Sequence, residues 1–154
     1  AAFKIILSEI DQMVDQARGQ TALAGLADGV KVSAQRLQEV ATLLGRMTAS
    51  PEFKVAFAHA HPLLTVMGDV IMGWMHLWRA VVAAPRLEKL LTQAGHDDLF
   101  KLIAKNKEAA FYDGQLKTAS FYIESVLPVT LGRMDVIAAG NPMAVAIDEK
   151  SFGG

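Results

Sequence analysis

Residues 63 to 84 constrain this chain more than any other stretch. Leu64, Met67, Ile71, Trp74, Trp78 and Val81 recur at spacings of 3, 4, 3, 4 and 3, which is one stripe of a helix. Leu63, Val66, Val70, Gly73, Leu77 and Ala80 form a second apolar row beside it. The polar residues Thr65, Asp69, His76 and Arg79 gather in a narrow strip. About 20 apolar residues suffice to span a bilayer. Asp69 and Arg79 oppose that reading, because a charge in mid-membrane costs roughly 2.5 to 3.5 kcal/mol. A helix that is apolar on most of its circumference needs burial on several sides. The segment is therefore predicted to be the central helix of a domain that docks against something else.

The flanking segments are helical too. Phe3, Ile6, Ile10, Met13 and Ala17 make one amphipathic stripe, and Gly19 is a plausible stop. Leu23, Val30, Leu37 and Leu44 sit seven apart, with Leu26, Ser33, Val40 and Met47 interleaved. This pattern predicts a helix of about 25 to 30 residues with coiled-coil-like packing, broken only by Ser33. Ser50-Pro51-Glu52 reads as an N-cap followed by Pro at the first helical position, opening a short helix to Ala58. Pro62 is expected to restart or kink the chain, and Pro85 to end or bend the central helix. Leu87, Leu90 and Leu91 continue it as far as Gly95.

His96-Asp97-Asp98 is read as the cap of a last long helix. Its stripe is Leu102, Ala109, Tyr112, Leu116, Ala119, Ile123 and Val126, with a kink at Pro128 and a stop at Gly140-Asn141-Pro142. Gly114 falls inside this helix, where Gly costs about 1 kcal/mol relative to Ala, so a closely approaching backbone is expected there. No segment alternates as a strand does. The expected fold is all-α: an antiparallel bundle of four main helices with proline kinks over residues 1–140, and a tail with a short helix or turn over 141–154. The chain opens on Ala1 without an initiator Met, and the expectation is a fragment of a longer polypeptide.

Function classes fall away one by one. Fifteen Lys+Arg against sixteen Asp+Glu give a net charge of -1, which offers no electrostatic reason to bind nucleic acid or an anionic membrane. The absence of Cys removes disulfides, thiolate nucleophiles and cysteine-ligated metals, and fits a reducing compartment. A cytoplasmic location is expected. The four His residues (His59, His61, His76 and His96) show no HExxH or ExxH spacing, so no zinc or di-iron site is expected. His76 is expected to bond Asp69 or Thr65 one or two turns away. Haem and phosphohistidine roles lack local support, and the Met residues fall mostly at core spacings. No glycine-rich loop follows a strand, and no serine sits in a G-x-S-x-G context. No catalytic, cofactor-binding or metal-binding residue is assigned. A helical domain rich in apolar faces and empty of chemistry reads as an assembly element. Its packing or interface candidates are Trp74, Trp78, Phe111, Tyr112, Gly114 and Phe121.

Residues 111–128 read Phe-Tyr-Asp-Gly-Gln-Leu-Lys-Thr-Ala-Ser-Phe-Tyr-Ile-Glu-Ser-Val-Leu-Pro. This resembles the C-terminal helical domain that follows the catalytic fold in a subset of bacterial acyl-CoA dehydrogenases, those similar to methylthiopropionyl-CoA dehydrogenase. The family pattern runs approximately F-Y-x-G-K-L-x-T-A-R-F-F and then V-L-P. Phe111, Tyr112, Gly114, Leu116, Thr118, Ala119, Phe121, Val126, Leu127 and Pro128 match it. Gln115 stands where Lys is usual and Ser120 where Arg is usual. Gly68, Gly73-Trp74 and Ala80 resemble a second family segment, and the stretch from Gly140 through Met143 to Phe152 resembles its ending.

The resemblance implies a flavoprotein parent that holds FAD and oxidises acyl-CoA to 2-enoyl-CoA with a Glu base, in fatty acid metabolism. It implies an electron-transfer flavoprotein as electron acceptor and a homo-oligomeric enzyme. In relatives the base and most flavin and CoA contacts lie upstream of this domain, so no catalytic residue carries over. Asp69, Glu108 and Glu124 are accordingly read as structural or surface residues. The expected role is to pack on the catalytic body or the dimer mate and shape or shield the site entrance. The alternative is a stand-alone helical interaction module.

Overall fold

The computed structural model describes residues 2–95 and 98–153. All regular structure among them is helical: α1 (Ala2–Arg18), α2 (Ala24–Met47), α3 (Phe53–Ala58), α4 (Ala60–Gln93), α5 (Leu99–Lys105), α6 (Lys107–Phe121), α7 (Leu127–Ala139) and α8 (Met143–Ala146). A π-helical turn, Tyr122–Val126, runs directly from α6 into α7. The four main members of the bundle are α1, α2, α4 and the α6–α7 pair, as the periodicities predict.

Cross-contacts give the directions. Asp11 and Arg18 of α1 pair with Lys31 and Asp28 of α2, respectively, so these helices are antiparallel. Asp69, Gly73 and Arg86 of α4 meet Thr130, Leu127 and Tyr112, so α4 runs antiparallel to α6–α7. Arg36 of α2 reaches Asp135 of α7 at 2.7 Å.

One apolar core joins all four. Ile10 and Val14 of α1, Val30 and Leu37 of α2, Val70 and Leu77 of α4, and Leu127, Met134 and Ile137 of α7 are almost fully buried within it. Each such side chain contributes roughly 1.5 to 3 kcal/mol of transfer free energy. Ser33, the interruption in the α2 seam, is also buried; its hydroxyl donates to the Gly29 carbonyl at 2.9 Å. A smaller cluster (Ala83, Leu87, Ala109 and Tyr112) seats α5 against α4 and α6.

Several local expectations change. Pro62 falls in the first turn of α4, where its missing N–H has no helical acceptor to lose, so the helix starts through it. Pro85 lies inside α4, which continues through Leu87, Leu90 and Leu91 to Gln93, in line with the expected continuation. The carbonyl that Pro85 leaves without a donor, that of Val81, accepts the side-chain amide of Gln20 at 3.1 Å. Ser50 does not cap α3. Its hydroxyl accepts the Glu52 N–H in a turn, and the helix begins at Phe53.

The last long helix is divided at Asn106. Asp98 caps α5 through the Phe100 N–H, and the Asn106 side chain accepts from Glu108 and Ala109 to open α6. His96 and Asp97 lie outside the described residues. Ahead of Pro128 the irregularity is the π turn, where the Leu127 N–H reaches the Tyr122 carbonyl. Gly140 stops α7 in the left-handed conformation, at φ 58°.

Candidate functional site

The α4 phase decides which residues remain available. The row Val66, Val70, Gly73, Leu77 and Ala80 is the one that faces the core. The other row is only partly covered: Trp74 packs on the core, whereas Leu64 and Trp78 face solvent. An uncovered stripe runs along α4 through Leu64, Gly68, Met72 and Val82, with Met75 half-buried within it. From Leu64 to Val82 it is about 27 Å long at 1.5 Å per residue.

At its C-terminal end the stripe widens into an open groove of about 390 Å³ between α4 and α6. Trp78, Val82 and Phe111 supply apolar wall, and Arg79, Arg86 and Gln115 supply polar groups. Trp78 is 49% exposed and Phe111 59% exposed. Trp78 stacks with Trp74 at 6.5 Å between ring centres, and Phe111 meets Tyr112 edge-on at 5.5 Å. Tyr112 is buried at the floor. Its hydroxyl accepts from Arg86 and donates to Glu108, both at 3.0 Å. The Arg86 guanidinium also lies 5.7 Å from the Tyr112 ring centre. The hydrogen bond to Tyr112 is the main cause that raises the Arg86 pKa.

The six interface candidates separate on this geometry. Trp78, Phe111 and Tyr112 line the groove, and Trp74 stacks on Trp78 while its indole N–H is buried without a partner. Gly114 and Phe121 are not part of it. A β-carbon at Gly114 would meet nothing within 4 Å, so the expected close backbone approach does not occur there. The close approaches are at Gly73 and Gly29, which sequence reasoning did not single out. Their β-carbons would come within 2.9 Å of Leu127 Cδ1 and Ile123 Cγ2. Phe121 is 66% exposed on α6.

Thr65, Asp69 and His76 of the α4 polar strip are engaged internally, whereas Arg79 is exposed. The Thr130 hydroxyl donates to the Asp69 carboxylate at 2.9 Å, and Arg133 reaches the same oxygen at 3.2 Å. The Tyr122 hydroxyl donates to the Asp69 carbonyl at 3.3 Å. His76 bonds neither Asp69 nor Thr65 as expected. It packs on the Tyr122 ring at 4.8 Å, while Thr65 donates to the His61 carbonyl. Burial, and secondarily the Arg79 charge, lowers the His76 pKa. Burial, and secondarily Asp69, raises that of Tyr122.

The remaining carboxylates noted above are also engaged, Glu108 by Tyr112 and Glu124 by Ser120. Among the described residues, no three His, Asp or Glu side chains converge as a metal site would require. No helix among them is long and apolar enough to cross a membrane.

The sequence profile described as acetyl-CoA dehydrogenase C-terminal like matches residues 6–148. The chain belongs to that family. No curated protein and no solved structure gave a significant match. The match supports the coarser part of the resemblance, a C-terminal domain of acyl-CoA dehydrogenases. It covers α2, α4, α6 and α7 completely. Within this acetyl-CoA dehydrogenase C-terminal-like domain, the motif residues divide by task. Ala119 and Leu127 fill the core, Tyr112 anchors Arg86, and Phe111 is left at the surface. Lys117 bonds Asp113 one turn away at 2.7 Å, so its charge is matched within α6. Gln115 lies in the groove wall.

Proposed function

We propose that this chain is the non-catalytic C-terminal domain of an FAD-dependent acyl-CoA dehydrogenase of the kind similar to methylthiopropionyl-CoA dehydrogenase. The parent would oxidise acyl-CoA to 2-enoyl-CoA, hold its FAD on an upstream catalytic body, and pass electrons to an electron-transfer flavoprotein. This domain packs on that body or on the dimer mate. The observation that carries the reading is the uncovered α4 stripe, with its groove at Trp78 and Phe111, in a chain matching the family over residues 6–148. Contiguous exposed apolar surface of this kind marks interaction sites.

No residue of this chain is assigned to a flavin, because the flavin contacts that the resemblance implies lie mostly upstream of this domain. The described residues build no strand-to-helix phosphate loop, and Asp69, Glu108 and Glu124 are bonded within the bundle. No reaction step is therefore assigned to this chain. What its residues do is hold a rigid apolar face in position.

The test is the coding DNA upstream of Ala1. The expected result is an open frame continuing into a dehydrogenase body with flavin contacts and a Glu base. A start codon just before Ala1 would leave a stand-alone interaction module and remove the oxidoreductase parent.

A further inference from the structure

The α4 stripe is polarised along its length. Its N-terminal half presents Leu64 and Met72, while its C-terminal half presents Arg79, Arg86 and Lys89 around Val82. Within the described residues Arg79 has neither a hydrogen bond nor an ion pair. Arg86 is bound to a neutral phenol. Among the described residues the carboxylate lining this end is Glu108, which accepts from Tyr112 and whose charge acts on Arg86, so Arg79 is the cation it leaves unmatched. Leu64 through Lys89 thus forms an edge about 38 Å long, apolar at one end and cationic at the other.

A second copy of this face is a poor occupant. No carboxylate projects from the stripe at Leu64, Gly68, Met72, Met75, Val82 or the three cations. Pairing α4 with α4 would therefore cover Arg79 without neutralising it, and an uncompensated charge covered by an apolar contact is costly.

The geometry points to an acidic amphipathic helix as the occupant: a partner segment with an apolar face for Leu64, Met72, Trp78 and Val82, and carboxylates placed to meet Arg79 and Arg86. A helix lying along a groove uses anchors at i, i+3, i+4 and i+7, which suits a stripe that runs along α4 into the groove at Trp78 and Phe111. The carboxylates select the partner and its direction, and the apolar anchors supply the contact area. This names the chemistry of the docking partner proposed above. It rests on that reading only for where the partner resides, since selectivity for an acidic helix belongs to the face itself.

The test uses two synthetic amphipathic helices of about 26 residues, long enough to cover the edge from Leu64 to Lys89. Both carry the same leucine face, one flanked by Glu and the other by Lys. Trp74→Phe leaves Trp78 as the only indole, so Trp78 fluorescence reports binding. The Glu peptide should bind at least about tenfold more tightly than the Lys peptide at low ionic strength, with the gap closing as salt is added. Arg79→Glu, and separately Arg79→Glu with Arg86→Glu, should reverse the order, while circular dichroism confirms an intact helix content. Equal affinities, preference for the Lys peptide, or no binding overturns the inference. So does concentration-dependent burial of Trp78 without peptide, which would make a second copy the occupant. A start codon upstream of Ala1 would remove the flavoprotein parent and leave this selectivity untouched.

Discussion

The side-chain amide of Gln20 donates to the Val81 carbonyl at 3.1 Å, the acceptor that Pro85 leaves unpaired inside α4. The bond spans 61 residues and ties the α1–α2 connection to the central helix. Gln20→Met keeps the side-chain volume and removes the donor. The expected cost is about 1 to 3 kcal/mol, that of a half-buried carbonyl left without a partner. Pro85→Ala restores a backbone donor, so Gln20→Met should cost much less in that background. Urea denaturation of the four combinations measures the coupling.

At Gly73 the β-carbon of any other residue would press on Leu127 at 2.9 Å. Leu127 is almost fully buried and has little room to yield. Gly73→Val should cost about 1 to 3 kcal/mol by overpacking. Gly114→Ala should do the opposite and stabilise by about 0.5 to 1 kcal/mol, because the new methyl meets open space and removes the entropic cost of Gly in a helix. Thermal melts of the two variants should move in opposite directions. A loss of stability in Gly114→Ala would contradict the geometry.

How far the sequence alone reaches is clear from these helices. In α2 the seven-residue seam was legible because its polar face is distinct. Leu26, Val30, Leu37, Val40 and Leu44 are all buried, as is Leu23 in the turn just before the helix, and Met47 packs at the edge. In α4 the helix was legible but its phase was not. Two apolar rows satisfy the same period, and tertiary packing selects the one containing Gly73, where Leu127 can come close. Gly114 looked like the contact glycine because position inside a helix says nothing of what faces it. The break at Asn106 had a local signal, an Asn two residues before Glu108, that the apolar stripe concealed. The groove depends on residues 78 and 111, which only the folded bundle brings together.

His76 gives the domain an acid-sensitive component. Its folded pKa lies below the ordinary value near 6.5, first from burial and then from Arg79. The unfolded chain therefore binds the proton more readily. Its contribution is complete above the unfolded value and is lost as pH falls through that value toward the folded one. Stability should drop as pH falls through the ordinary histidine value of about 6.5, and His76→Gln should flatten that part of the curve. An identical slope in the variant would assign the acid sensitivity to other groups.

Asp69 holds the middle of the α4–α7 contact through Thr130 and Arg133. Asp69→Ala should cost about 1 to 2 kcal/mol, limited because Thr130 is also within reach of the Val126 carbonyl at 3.2 Å. Arg133→Ala, on an exposed ion pair, should cost no more than about 1 kcal/mol. Chemical denaturation of the two variants should preserve that order.

The most direct measurement of the docking account is acrylamide quenching of Trp78, with Trp74→Phe, in this 154-residue chain and in the proposed parent polypeptide with every other Trp replaced by Phe. The account predicts ready quenching in the chain alone, where Trp78 is half exposed, and strong protection in the parent. Equal quenching in both would mean that the α4 face stays open to solvent in the parent, and would contradict the assignment of this domain as one that docks through it.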